Sequence, residues 1–186
     1  MFGYAYLTLD KISENCDRQR KPVTKGKREA GKYPYYGASG IVDYVSDYIF
    51  DGDYLLVSED GANLLARVTP IAFSISGKNW VNNHAHIIKS HYGEVGNKYI
   101  LHYLNVFNFH GYVNGTTRLK LTQASMRTIP VPLPPLAEQK RIVEQIESLF
   151  AKLDEAKEKA LSVVESFELR EKAIYKKAFE GDLTNS

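Results

Sequence analysis

Ile129-Pro-Val-Pro-Leu-Pro-Pro-Leu-Ala-Glu-Gln139 divides this chain into two kinds of sequence. Upstream, Tyr, Gly and Asn are frequent and apolar runs are short. Downstream, no Pro or Gly occurs before Gly181, and apolar residues recur at helical spacing. Pro130, Pro132, Pro134 and Pro135 lack amide donors and hold their predecessors extended, so they suit neither a helix interior nor a central strand. The stretch therefore reads as a stiff spacer. It joins a compact head, residues 1–135, to a long helix within 136–186.

The helical part carries Ile142, Ile146, Leu149, Leu153, Ala156, Ala160, Val163, Phe167 and Ile174 at steps of mostly three and four. That is an a/d heptad seam. At ~1.5 Å per residue the helix spans on the order of 65 Å, too long for one small head to bury its stripe. Folding back onto the head would need a break, and the sequence offers none. The expected partner is another helix, from a second copy or a different chain.

Upstream, Ile41-Val-Asp-Tyr-Val45, Tyr54-Leu-Leu-Val-Ser58, Ala66-Arg-Val-Thr69, Ile71-Ala-Phe-Ser-Ile75 and Ala85-His-Ile-Ile88 read as short strands. Asp-Gly pairs and Asn-rich turns punctuate them. Tyr99–Asn105 places Ile100, Tyr103, Leu104 and Phe107 on one helical face. Gly111–Thr117 reads as a loop and Arg118–Thr122 as a strand. The fold class is α+β: a strand-rich head in a twisted-sheet or sandwich-like arrangement, followed by one long C-terminal helix that pairs antiparallel in a dimeric coiled coil.

Net charge is only +2, but it is unevenly placed. Acids and bases balance along the helix. In the head, Arg18, Arg20, Lys21, Lys25, Lys27, Arg28 and Lys32 are opposed within their run only by Glu29. Such a run is a solvated loop in many proteins, yet it also attracts phosphates locally. The single cysteine, Cys16, excludes an internal disulfide framework and fits a reducing cytoplasm. The chain shows no signal-peptide pattern at Met1-Phe-Gly-Tyr-Ala5 and no apolar run of membrane-spanning length.

Catalytic chemistry finds no support. Glu59 and Asp60 are adjacent on an extended segment and face opposite ways, a poor acid–base pair; Asp60 is expected to cap its own turn. His84 and His86 have the spacing of two metal ligands on a strand, but no third ligand stands at useful spacing. They read as hydrogen-bonded side chains beside the Asn82-Asn83 turn, and no metal site is expected. Phosphate loops, dinucleotide fingerprints, nucleophile elbows and the Asn/Asp-Pro-Pro-aromatic motif of adenine methylation are lacking.

Binding is the positive case. Tyr35 follows the basic loop, Lys78 and Asn79 sit at a turn tip, and Thr117 and Arg118 close a small polar stretch. These residue types contact phosphates and base edges.

The same residues carry a family resemblance. Pro132-Leu-Pro-Pro-Leu-Ala-Glu-Gln-Lys-Arg-Ile-Val-Glu-Gln-Ile146, with Leu149-Phe150 and Leu153-Asp154, resembles the conserved region of type I restriction–modification specificity subunits. Tyr33-Pro-Tyr-Tyr-Gly-Ala-Ser-Gly-Ile41, Asp60-Gly61 and Asn82-Asn-His-Ala-His86 resemble their target recognition domain. Lys177-Ala-Phe-Glu-Gly-Asp-Leu183 resembles the end of a conserved region. Such subunits usually hold two of each part, whereas this chain shows one, like a half-subunit.

The resemblance implies a non-catalytic DNA recognition subunit that reads a bipartite target as a two-fold dimer. The head would contact double-stranded DNA, and the helix length would set the gap between half-sites. The helix after Glu138-Gln139 would dock a modification subunit. No cofactor is expected on this chain. S-adenosylmethionine, ATP and Mg would belong to the modification and restriction subunits. Two other classes fit the residues without the resemblance: a DNA-binding dimer acting alone, and a protein–protein adaptor.

Overall fold

The computed structural model describes residues 3–115 and 118–180. Thr117 and the Gly181–Leu183 end of the resemblance lie outside the described residues. The chain forms two units, one reaching to Val143 and one beginning at Glu144.

The first unit opens with β1 (Ala5–Thr8), the short helix α1 (Leu9–Ile12) and β2 (Ser13–Asn15). Single 3-10 turns at Asp17–Gln19 and Lys25–Lys27 shape the basic loop. Then come β3 (Ala30–Gly37), β4 (Gly40–Val45), β5 (Phe50–Asp51), β6 (Tyr54–Ser58), α2 (Asn63–Ala66), β7 (Ala72–Ile75), β8 (Lys78–Val81) and β9 (Ala85–Ser90). The helix α3 (Gly93–Val106), β10 (Val113–Asn114), β11 (Lys120–Leu121), α4 (Gln123–Arg127) and β12 (Pro130–Leu133) complete it, and α5 runs from Leu136 to Glu180.

Two four-stranded sheets organise the head. One has the order β2-β9-β6-β7 and is antiparallel throughout. Its central strands are buried on both faces, which explains their unbroken apolar runs. Leu55, Val57 and Ile88 face a core shared with Leu9, Ile12, Ile100, Leu104 and Phe109. Leu56, Ala85 and Ile87 face a second core with Phe50, Ile75 and Val81. Each strand serves both cores because successive side chains alternate. The other sheet has the order β4-β3-β8-β5, with β3 and β8 parallel.

The helix α3 covers the first core with Tyr99, Ile100 and Leu104. A side chain at Gly96 would collide with Ser90, so glycine permits the close approach of α3 to β9. Its last residues are held from outside. Asn105 accepts from the Ile71 and Ala72 amides through Oδ1, at 2.8 and 2.9 Å, and donates to the Ala72 carbonyl, so its amide acts as a strand partner. Arg67 donates to the carbonyls of Asn105 and Phe107 at the C-terminus of α3, where a cation is favoured.

Three expectations change. The Ala66–Thr69 strand is instead the end of α2 and a turn at Arg67, which adopts φ 55°. Part of the Gly111–Thr117 loop is β10, paired with β11. The proline stretch is not a free spacer either: β12 pairs antiparallel with β1 in a two-stranded ribbon. Proline tolerates such an edge because no second ladder asks for its missing amide. Tyr99 and Tyr103 donate to the Pro132 and Pro130 carbonyls at 2.7 and 2.5 Å, fixing the ribbon on α3.

The helix α5 starts inside the head. The Glu138 and Gln139 amides donate to the Pro135 carbonyl, Gln139 and Val143 are buried, and Ile142 packs on the first core. The head therefore ends near Val143 rather than at residue 135, and Ile142 belongs to its core rather than to a free seam. In the second unit the helix exposes Leu149, Leu153, Val163, Phe167 and Ile174, each by about half or more. Among the described residues, no helix is long and apolar enough to cross a membrane.

Candidate nucleic-acid interface

The basic loop lies on an aromatic platform. Tyr35 and Trp80 stand side by side on the parallel strands β3 and β8, ring centroids 6.4 Å apart. The Tyr35 hydroxyl accepts from the Val23 amide at 2.9 Å, and Trp80 Nε1 donates to the Lys21 carbonyl at 2.7 Å. The Arg28 guanidinium sits 4.2 Å from the Tyr35 ring centre, donates to the Val23 carbonyl and pairs with Asp43. Tyr35 is 1% exposed. Tyr35 and Arg28 thus shape the loop from within rather than face a ligand.

Arg20 also turns inward. It donates to Glu59 Oε2 at 2.5 Å and to the Ala85 carbonyl at 2.7 Å, and pairs with Asp17 at 3.3 Å. Behind it, His86 Nδ1 meets Asp17 Oδ2 at 2.6 Å and Nε2 meets the Leu121 carbonyl at 2.8 Å. Both ring nitrogens thus face acceptor oxygens. Burial pushes the Asp17 carboxyl up. The His86 hydrogen bond and charge, the Ile87 amide and the Arg20 charge outweigh it and hold the carboxyl below its ordinary range. Lys120 reaches the outer oxygen of Glu59 at 3.1 Å.

With Arg20, Arg28 and Tyr35 turned inward, Arg18, Lys21, Lys25, Lys27 and Lys32 remain exposed. Lys32 and Lys78 flank a pair of tyrosines. Lys32 Nζ lies 5.3 Å from the Tyr33 ring centre, Tyr33 and Tyr48 are 5.1 Å apart, and Lys78 Nζ lies 4.5 Å from Tyr48. Asn79 is displaced from the role its turn position suggests. It is 1% exposed, and its amide donates to the Ser76 and Gly77 carbonyls.

At the other end of the parallel strands, several turns converge. Ser58 donates to the Ala38 carbonyl in the Gly37–Gly40 hairpin tip, at 2.5 Å. Asn82 receives the His84 amide at 2.7 Å, and its own amide donates to the Tyr36 carbonyl. Asp60 does not cap its own turn. Its Oδ2 faces His84 Nδ1 at 2.9 Å and its Oδ1 accepts from Arg118 Nη2 at 2.8 Å. Burial pushes the Asp60 carboxyl up, but hydrogen bonds from Arg118 and His84, with their charges, hold it below its ordinary range. Arg118 itself is largely exposed.

Sequence reasoning names Arg118 and Lys78 as candidates but not the side chains that hold them. Tyr33, Tyr48, Asp60 and His84 come from segments far from the residues they steady. The H-x-H spacing does not group His84 and His86: His84 lies in the turn before β9 and meets Asp60, while His86 is on β9 and meets Asp17. Asp17, the acid that meets His86, stands among basic residues, and nothing local marks it.

The residues 3–166 match the family model described as type I restriction modification DNA specificity domain. The chain belongs to this family. A putative type I restriction enzyme specificity subunit of Haemophilus influenzae is 38% identical over 143 residues, which is 77% of this chain and 36% of that protein. The specificity subunit of the type I restriction enzyme EcoDI of Escherichia coli is 38% identical over 65 residues, 35% of this chain and 15% of that protein. The chain therefore spans well under half the length of these relatives.

Solved structures of specificity subunits share the fold. A chain from a structure of type I system assembly and conformational transition matches with TM-score 0.69 at 16% identity, covering 96% of this chain and 46% of that one. The specificity subunit of M. genitalium matches with TM-score 0.61 at 11% identity, covering 82% and 40%. The matched residues take in the two-sheet head and α5 as far as residue 166.

Proposed function

We propose that this chain is the DNA recognition component of a type I restriction–modification enzyme and does no covalent chemistry itself. The observation that carries this is the sorting of the basic run within a DNA specificity domain. Arg20 and Arg28 build the loop, while Arg18, Lys21, Lys25, Lys27 and Lys32 stand outward together. Exposed cations of this kind bind phosphates and set register, and base edges give sequence. Lys78 and Arg118 supply groove contacts.

Two copies pair through α5, antiparallel, along Ile146, Leu149, Leu153, Ala156, Ala160, Val163, Phe167 and Ile174. Support comes from a 45-residue helix whose seam stays exposed beyond the head; such a helix gains most of its stability from packing. A two-fold pair reads two half-sites, with the helix setting the gap. Modification subunits carry S-adenosylmethionine and methylate adenine, and a restriction subunit uses ATP and Mg to cleave. All work in the cytoplasm.

Enrichment from randomised duplex DNA tests this, with the full chain alone and with the modification subunit of its own system. A two-part motif with a fixed gap, seen or sharpened with the partner, is expected. No enrichment in either case sinks DNA recognition in favour of a protein adaptor. A single undivided motif bound without the partner marks a dimer that acts alone.

A further inference from the structure

We infer that Arg118 is a base-reading residue, presented to a guanine in the major groove by Asp60 and His84. This rests on the DNA-recognition reading above and assigns one subsite within it.

Three observations converge. The first is the asymmetry of the pair: the Arg118 side chain is 63% exposed while Asp60 is only 12% exposed. A lone exposed ion pair holds an arginine weakly, because screening and side-chain entropy oppose it. Here the acceptor is sunk in the protein and its second oxygen is already engaged by His84 at 2.9 Å. Asp60 is ionised and can only accept, so His84 Nδ1 carries the hydrogen and donates to it. Arg118 Nη2 then takes the remaining oxygen, 3.2 Å from the same ring nitrogen. The carboxylate cannot swing away without losing both partners.

The second is the backbone around the pair. The Gly61 amide donates to the Leu119 carbonyl and the Leu121 amide to the Glu59 carbonyl, 2.9 and 2.8 Å, and Asp60 bridges Lys120. The segment with the carboxylate is thus zipped to the segment with the arginine. Gly115 adopts φ +103°, and a Cβ there would run into the Arg118 carbonyl, so this position requires glycine.

The third is the direction of what is left over. Among the described residues, the guanidinium donates one hydrogen bond, from Nη2 to Asp60 Oδ1. Nη1 and the second hydrogen of Nη2 remain to donate from an exposed side chain. Two parallel donors at that spacing match guanine O6 and N7, the commonest specific contact in the major groove. Holding the group still beforehand lowers the entropy lost on binding. Asp60 and His84 are therefore positioning residues, and Arg118 is the group that touches the base.

The test is enrichment from randomised duplex DNA by the full chain with its modification subunit, comparing wild type, Arg118→Ala, Arg118→Lys and Asp60→Asn. Wild type yields a motif with guanine at one position per half-site. Arg118→Ala makes that position degenerate, cutting its preference by on the order of tenfold to a hundredfold, and leaves the other positions intact. Arg118→Lys, an exposed change that cannot unfold the head, relaxes the same position. Asp60→Asn relaxes it too, by less, and with Arg118 still present. An unchanged motif in Arg118→Ala overturns the inference. So does a uniform loss at every position with a shallower salt dependence, which identifies a phosphate contact. If wild type enriches nothing, the DNA-recognition reading itself has failed.

Discussion

His86 Nδ1 lies 2.6 Å from Asp17 Oδ2, joining residues 69 positions apart at the root of the basic loop. Asp17 also accepts from the Ile87 amide at 2.8 Å, so one carboxylate binds a strand and its side chain together. The loop with the outward lysines thus leaves the sheet from a fixed point. Breaking a buried charged pair on one side strands the other charge, at a cost of about 3–5 kcal/mol. His86→Leu removes one partner of Asp17 while Arg20 and the Ile87 amide remain, so its denaturant midpoint should fall by less than that full cost. Asp17→Asn keeps the shape and an acceptor, and should cost less. Equal stability for wild type and His86→Leu would show that the pair contributes nothing.

The same acids set the low-pH limit of the fold. Asp17 and Asp60 both titrate below their ordinary range in the folded chain. A carboxyl depressed on folding adds stability above its unfolded value, about pH 3.9, and loses it as pH falls through the folded value. Stability should therefore be steady near neutrality from these two groups and drop steeply below about pH 4. Urea midpoints measured across the range from neutrality to strong acid should show this limb, flattened in Asp17→Asn and Asp60→Asn. A limb of unchanged slope in both variants would assign acid unfolding to other groups.

Cys16 offers an internal probe of the same region. It is 5% exposed beside the loop root, and burial, reinforced by Glu14 and Asp17, pushes its thiol up to about 11. The thiolate is the reactive form. In mild alkali, at about pH 8, the folded chain should react with an alkylating reagent on the order of a hundredfold more slowly than the unfolded chain. His86→Leu, by freeing the loop root, should raise the rate before global unfolding begins. Rapid labelling of the native wild type would contradict the burial.

How much of this is legible in the sequence depends on the range of the interactions. The helix from Leu136 is readable because its signals, spacing and the lack of Gly and Pro, are local. Strands β6 and β9 are readable because both faces are apolar. The proline stretch reads wrongly as a spacer because its partner β1 is remote in sequence, with Leu7 opposite Val131, and a spacer and an edge strand carry the same prolines. Arg20, Arg28 and Tyr35 look like ligands for a related reason. Charge in a run shows attraction but not direction, and the acids that claim Arg20 lie at positions 17 and 59. Asp60 and His84 each look like a turn residue; their shared arginine comes 34 residues beyond His84.

The second unit carries its own prediction. Leu149 and Leu153 are 52% and 64% exposed, one step apart on the seam. Glutamates at both positions should leave the head folded, since its core ends near Val143. They should convert a dimer to a monomer in sedimentation, and helicity should fall as the unpaired helix loses its packing. An unchanged mass would overturn pairing through this seam.

The final prediction separates outward cations from inward ones. Removing one phosphate-binding cation should reduce the slope of log K against log salt by about 0.9. Lys25→Ala, Lys27→Ala and Lys32→Ala together should weaken DNA binding at low salt and lower that slope by about 2–3. The thermal midpoint should stay unchanged, because surface substitutions away from packed groups move stability little. Arg20→Ala should behave in the opposite order. It removes a shared partner of Asp17 and Glu59 and uncovers the Ala85 carbonyl, so stability falls first and binding falls only with it. Were the triple variant to bind with the wild-type slope, the basic loop would face solvent and not DNA. Lys78 beside Tyr48 would then be the next cation to remove.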